Sequence, residues 1–227
     1  MNDDLSIRVT ALVGALAVVP DLAQRSAESA KNFDVWARGY DARNHPAHYL
    51  SPARLATLAQ THLPPGCGPI LDLACGTGLL GARLQALGFS DLTGVDISAA
   101  MLACAADKAV YRTLLHADLQ DVLPFGPGSF AAVTSMGAFY EDSIEVTALA
   151  HALPLIRAGG HLICDIEMAA WQDRGYRTVL ETLASEGLLD LLVVAPGQIF
   201  RPGTLKPDSD AEGAEGVFVV ARIARLD

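Results

Sequence analysis

The stretch ILDLACGTGLLG, residues 70–81, constrains the fold more than any other part of the chain. A short apolar run enters a glycine loop and leaves into a leucine-rich helical pattern. That is the order of a buried strand, a tight loop and a helix N-terminus, the first unit of a strand–helix sheet. The stretch points to two different ligands. GTGLLG spells G-x-G-x-x-G, the fingerprint of a dinucleotide site. ILDLACGTG instead places a carboxylate, Asp72, four residues before Gly76.

Residues 1–65 read as a helical N-terminal cap and 66–227 as the core that carries the motif. Val9 to Val19 is apolar, but Asp3 and Asp4 precede it where a signal peptide would be basic. It is also too short to span a membrane, so it is expected to pack on the domain or on a second subunit. Leu22 to Gly39 is expected to be helical, with Phe33 and Trp36 as a core stripe. Leu50 to Leu63 follows, with Ser51 as N-cap and Pro52 at N1. From residue 69 strands and helices alternate. Strands are expected at 69–74, 91–96, 113–116, 130–135 and 161–167. Helices are expected at 76–87, 99–109 (capped by Ser98), 144–156 (closed by Ala158-Gly159-Gly160) and 173–186. Two final strands, 188–194 and 217–223, have no helical pattern between them and should pair antiparallel. The acidic loop 207–216 between them is expected to be mobile. Such alternation builds a parallel sheet with helices on both faces.

In this architecture ligands sit at the carboxyl ends of the strands. Asp96, ending the second strand, suits ribose hydroxyls in either reading. Asp72 separates them, because a carboxylate in the crevice repels a pyrophosphate by a few kcal/mol, roughly. A ligand with an amino group and a sulfonium, such as S-adenosylmethionine, would favour it. A short-chain dehydrogenase also needs a Tyr with a Lys four residues later. None of the five tyrosines has one.

Bulk properties narrow the partners. Net charge is −10 over 227 residues, and no basic run occurs. Nucleic-acid backbones are bound by clustered Lys and Arg, so none is expected as a partner, and no membrane either. Cys67, Cys75, Cys104 and Cys164 match no zinc spacing. They read as reduced thiols of a cytoplasmic protein.

The motifs ILDLACGTG, LTGVDIS, LLHADL, FAAVTSMGAF and AGGHLICDIE, in that order, resemble those of class I S-adenosylmethionine-dependent methyltransferases. FDVWARGYD, GVDIS-x-x-ML and ADKAVYRTLLHADL resemble the small methyltransferases of the Williams–Beuren-region type (methyltransferase-like protein 27). The resemblance implies a Rossmann-like α/β fold of seven strands, order 3-2-1-4-5-7-6, with the last strand antiparallel. It implies S-adenosyl-L-methionine as cofactor and S-adenosyl-L-homocysteine as product. By position, Asp72 would bind the methionyl amino group, directly or through water. Ala74, Gly76 and Gly78 would form the loop floor, Ala74 replacing a usual glycine at little cost. Asp96 would hold the ribose, and Ile97 and Met101 would pack nearby. Asp118 would accept from the adenine amino group beside Leu119. Ser135 would border the methionine, and Tyr40 would cover the cofactor. SMGAF differs from the N-P-P-Y type of many nucleobase methyltransferases.

An oxygen acceptor usually needs a base. Candidates are Tyr140, Glu141 and His45, ahead of His48, His116, His161 and Glu167. Met136, Phe139 and Trp171 are expected to line the acceptor site. His45-x-x-His48 has no evident third ligand, so no metal is expected. The leading expectation is a small-molecule methyltransferase, monomeric or homodimeric. A non-catalytic S-adenosylmethionine-binding protein, a protein methyltransferase and a dinucleotide oxidoreductase are the alternatives.

Overall fold

The computed structural model describes residues 2–16, 21–140, 143–203 and 214–224. Four helices come first: α1 (Asn2–Leu16), α2 (Leu22–Trp36), α3 (Tyr40–Arg43) and α4 (Ser51–His62). The alternating part follows as β1 (Ile70–Leu73), α5 (Leu79–Ala86), β2 (Leu92–Asp96), α6 (Ala99–Asp107), β3 (Thr113–His116) and β4 (Phe130–Phe139). It continues as α7 (Ala148–Ala152), β5 (Ile156–Glu167), α8 (Met168–Asp173), α9 (Tyr176–Ser185), β6 (Leu189–Gln198) and β7 (Glu215–Ile223). The sheet order is β3-β2-β1-β4-β5-β7-β6, with β7 antiparallel to both neighbours.

Alternate residues of the central strands face two cores, as pleated strands require. Leu71, Leu73, Val133, Leu162, Cys164 and Val219 face one. Ile70, Ala132, Ile163 and Val220 face the other, with Leu80 and Leu84 of α5 and Leu55 and Ala59 of α4. The apolar N-terminal segment supplies Leu5, Val9 and Val13 to the first core. These lie four apart on one face of α1, which packs on α7 and α9. This N-terminal helix thus packs on its own domain; residues 17–19 of the apolar run lie outside the described residues. Among the described residues no helix is long and apolar enough to cross a membrane.

Some expected boundaries move. The helix expected over 144–156 is only α7 and a 3-10 turn, Leu153–Leu155, that contains Pro154. Ala158-Gly159-Gly160 does not close a helix but lies within β5. A Cβ on Gly160 would come within 2.6 Å of the Ala131 carbonyl oxygen, so glycine here permits close strand approach. The helix expected over 173–186 is split at Gly175, whose φ of 81° breaks α8 from α9. Ser98 caps α6 as expected, its hydroxyl oxygen accepting the Met101 N–H at 3.1 Å. Ser51 is the first residue of α4 and makes no capping bond. Most of the acidic loop, 207–213, lies outside the described residues.

Gly81 on α5 faces Tyr111. A Cβ there would stand 2.3 Å from the Tyr111 hydroxyl oxygen. In an ordinary helix interior, alanine is favoured over glycine by roughly 0.5–1 kcal/mol. Here Gly81→Ala should destabilise by about 1–3 kcal/mol through overpacking. In a Tyr111→Ala background the sign should reverse. Urea unfolding of the four proteins of this cycle reads both numbers.

Candidate functional site

The carboxyl ends of β1, β2 and β4 open onto a cavity of about 740 Å³, its mouth included. Ala74 and Gly76 form its floor, both with left-handed φ (50° and 55°). No atom lies within 4 Å of the point a Gly76 Cβ would occupy. Asp96 holds this loop. Its Oδ2 accepts the Gly76 N–H and its Oδ1 the Ser98 N–H, each at 2.8 Å. Burial pushes the Asp96 carboxyl upward, and the N–H donors of Ser98, Gly76 and Ile97 oppose that rise. Ile97, Met101 and Leu119 add an apolar wall, and beyond it Asp118 Oδ1 accepts the Gln120 N–H at 2.9 Å.

The roof is α2, which presents Leu22, Arg25, Ser26, Ser29 and Phe33 to the cavity, followed by Tyr40. This segment is fastened to the loops beneath it at three points. Asp34 Oδ1 accepts from the Ser98 hydroxyl (2.6 Å) and the Ala100 N–H (3.1 Å). Asp41 accepts from the Thr77 hydroxyl and pairs with Lys108 at 2.7 Å. Arg25 pairs with the buried Glu145 at 2.6 Å.

Nine of the expected site residues therefore come together here: Tyr40, Ala74, Gly76, Asp96, Ile97, Met101, Asp118, Leu119 and Met136. Others do not reach the cavity. Asp72 is 1% exposed and does not line it. It shares a strand face with Ile70 and points under the loop towards α5. There its Oδ2 accepts from the Tyr111 hydroxyl (2.6 Å) and its Oδ1 from the Thr134 hydroxyl (2.7 Å). Gly78 caps α5 with φ 86° and faces Tyr111 rather than the cavity. Ser135 is buried and its hydroxyl donates to the Leu73 carbonyl, tying β4 to β1. Phe139 and Trp171 belong to the first core, Phe139 against the Tyr176 ring at 5.1 Å, and neither lines this cavity.

The proposed bases fare similarly. Tyr140 lies off the cavity, and its phenol is raised well above its ordinary value, by burial first and then by Asp165. A phenol held protonated in this way is a poor base at neutral pH. His45 is exposed, its Nδ1 accepting the Ala47 N–H. Glu141 lies outside the described residues. Among the described residues no three His, Cys, Asp or Glu side chains cluster as a metal site would.

Phe33 was expected in the core but lines the cavity, with Trp36 edge-on at 5.3 Å. The α2 residues were signalled only by their spacing (22, 25, 26, 29, 33), which the two serines obscure. Tyr111 stands in the AVY element of the resemblance, which attached no role to it.

The cavity suits an adenosyl ligand. It offers one carboxylate on each side of an apolar slot, backbone open to close approach at Gly76, and no unpaired cation among the described lining residues for a pyrophosphate. The sheet order and this site define a class I S-adenosylmethionine-dependent methyltransferase. Comparison with known proteins agrees. The family described as Methyltransferase domain matches residues 70–160. Human Methyltransferase-like protein 27 is 35% identical over 210 residues, 88% of this chain and 83% of that protein. The yeast 18S rRNA (guanine(1575)-N(7))-methyltransferase is 34% identical over 105 residues, 46% of this chain and 38% of its own. Geranyl diphosphate C-methyltransferase from Streptomyces coelicolor A3(2), solved with Mg2+, geranyl diphosphate and S-adenosyl-L-homocysteine, superposes with TM-score 0.63 at 13% identity. It covers 91% of this chain and all of its own. The chain belongs to the S-adenosylmethionine-dependent methyltransferases, of the Methyltransferase-like protein 27 type.

Two outcomes follow from the loop. Ala74 sits at φ 50°, where a Cβ costs about 1–2 kcal/mol, so its departure from glycine is not free. Ala74→Gly should stabilise by about 1 kcal/mol, raising Tm by about 2–4 °C in a thermal melt. Burial pushes the Asp72 carboxyl up from 3.8 to about 6, against the Tyr111 and Thr134 bonds. The folded state therefore holds the proton more tightly than the unfolded chain. Asp72 contributes fully below about pH 4 and loses on the order of 3 kcal/mol as pH rises to about 6. Asp72→Asn should gain on wild type across that window and run parallel to it above. Urea titrations at a series of pH values check the slope.

Proposed function

We propose that this methyltransferase acts on a small, uncharged or weakly polar acceptor held under α2. The observation that carries the reading is the fastened roof. Asp34, Asp41 and Arg25 pin α2 and α3 across the cavity, which leaves room for a small molecule beside the cofactor. Besides Asp96 and Asp118, the lining wall includes Leu22, Phe33, Met136 and Ile144 with Ser26 and Ser29. Its one cation among the described residues, Arg25, is neutralised by Glu145. Such a wall attracts neither phosphates nor acidic peptides.

In this reading residues 1–65 act as the cap and 66–227 as the catalytic core. S-adenosylmethionine supplies a methyl group already activated on a sulfonium. The chain's own residues then bind and align. Asp96 presents a carboxylate fixed by two N–H donors, suited to vicinal hydroxyls. Asp118 presents one to an amino group. Tyr40, its phenol kept neutral by burial and by Asp96, Asp165 and Asp41, closes the roof and excludes water. Alignment of this kind can supply roughly 7–11 kcal/mol of the barrier. The acidic chain and the absence of a basic run support excluding nucleic acid, although a relative of this chain is an 18S rRNA methyltransferase. The four free cysteines support a cytoplasmic, reducing setting.

Calorimetry with S-adenosylhomocysteine and NADH, followed by methyl-transfer assays on panels of small molecules, peptides and rRNA, tests this. We expect binding of the adenosyl ligand on the order of micromolar, weakened at least about tenfold in Asp96→Ala, since each bond to a charged group is worth about 1.5–3 kcal/mol. NADH should not bind. Transfer to rRNA or peptide with none to small molecules contradicts the acceptor class.

A further inference from the structure

Tyr111 lies in the AVY element of the motifs without a role attached to it, and three glycines stand around it. A Cβ on Gly78 would lie 3.1 Å from its ring. One on Gly81 would lie 2.3 Å from its hydroxyl oxygen, and one on Gly94 3.2 Å from its ring. Gly78 and Gly81 belong to GTGLLG, and Gly94 pairs with Asp72 across β1 and β2. The space those glycines leave holds the Tyr111 ring between α5 and the sheet, with Cys75 and Leu114 beside it at Gly94. The Tyr111 hydroxyl ends 2.6 Å from Asp72 Oδ2. The only other hydrogen bond among the described residues to that carboxylate comes from Thr134.

We propose that Tyr111 is a positioning residue for the cofactor: its ring braces the glycine loop, and its hydroxyl keeps the Asp72 carboxylate ionised and fixed beneath Ala74 and Gly76. Asp72 then acts on the ligand as a buried negative charge behind the cavity floor rather than as a lining residue. In a site closed from water such a charge is weakly screened. It favours a ligand bearing an ammonium or sulfonium and disfavours a pyrophosphate. The titratable groups that face Asp72 are Tyr111, the Cys75 thiol and Asp96. Thr134 is its neighbour from β4 and carries no charge. Neither Cys75 nor Asp96 adds a positive charge, so the two hydroxyl donors are what oppose protonation on burial.

The inference rests on an adenosyl ligand occupying the cavity, and wild-type binding of S-adenosylhomocysteine checks that separately. The test is the pH profile of its dissociation constant from pH 5.5 to 8.5 for wild type, Tyr111→Phe and Asp72→Asn, each shown folded by thermal melt. Wild-type binding should be flat above about pH 7 and weaken as Asp72 protonates at lower pH. Tyr111→Phe keeps the ring and loses one bond to the charged form. Its acid limb should move to higher pH, with binding about tenfold weaker near pH 6.5. Asp72→Asn should give a flat profile. If Tyr111→Phe lowers the melting temperature but keeps the wild-type constant and profile, Tyr111 is packing alone and the proposal fails. Should Tyr111→Phe not fold, the other pair still decides: identical profiles for wild type and Asp72→Asn overturn it, and a limb present only in wild type supports it.

Discussion

The Asp96 carboxylate is the bond on which the site depends. One oxygen takes the N–H of Gly76 and the other that of Ser98, so a single side chain joins the loop after β1 to the loop after β2. Ser98 in turn caps α6 and donates to Asp34, which carries the connection into α2. Floor, wall and roof of the cavity are thus linked through two residues, Asp96 and Ser98, on either side of Ile97. A carboxylate that accepts backbone N–H groups is rigid. A rigid carboxylate at a strand end can meet two hydroxyls without reorganising.

The two readings of the glycine loop are reconciled by packing. GTGLLG matches a dinucleotide fingerprint because Gly81 leaves room for Tyr111, not because a pyrophosphate needs the third glycine. Asp72, proposed above to separate the readings by charge, sits behind the floor rather than in the crevice. Strand parity explains its position: Ile70 and Asp72 share a face, and that face is covered by α5.

Strands and their order were legible because apolar runs and glycine punctuation are local signals, and the resemblance supplied the topology. What failed was whatever one local signal can mean twice. Gly159-Gly160 reads as a helix stop, yet it serves strand approach next to Ala131. Phe33 on an amphipathic helix reads as core, yet its face is turned to a cavity. Phe139 and Trp171 follow strands where acceptors usually bind, yet both turn to the core beneath α1 and α9. Only the packing of distant elements decides these cases. The residues that hold the roof, Asp34 and Asp41, bracket a recognisable motif, but their partners, Ser98 and Lys108, are more than sixty residues away.

The most direct test of the account is a crystal structure of the protein with S-adenosyl-L-homocysteine. The account predicts the ribose on Asp96, the adenine between Ile97 and Leu119 near Asp118, and α2 closed above with Phe33 and Tyr40 against the ligand. A ligand bound elsewhere, or one that contacts Asp72 directly after displacing Tyr111, would contradict it.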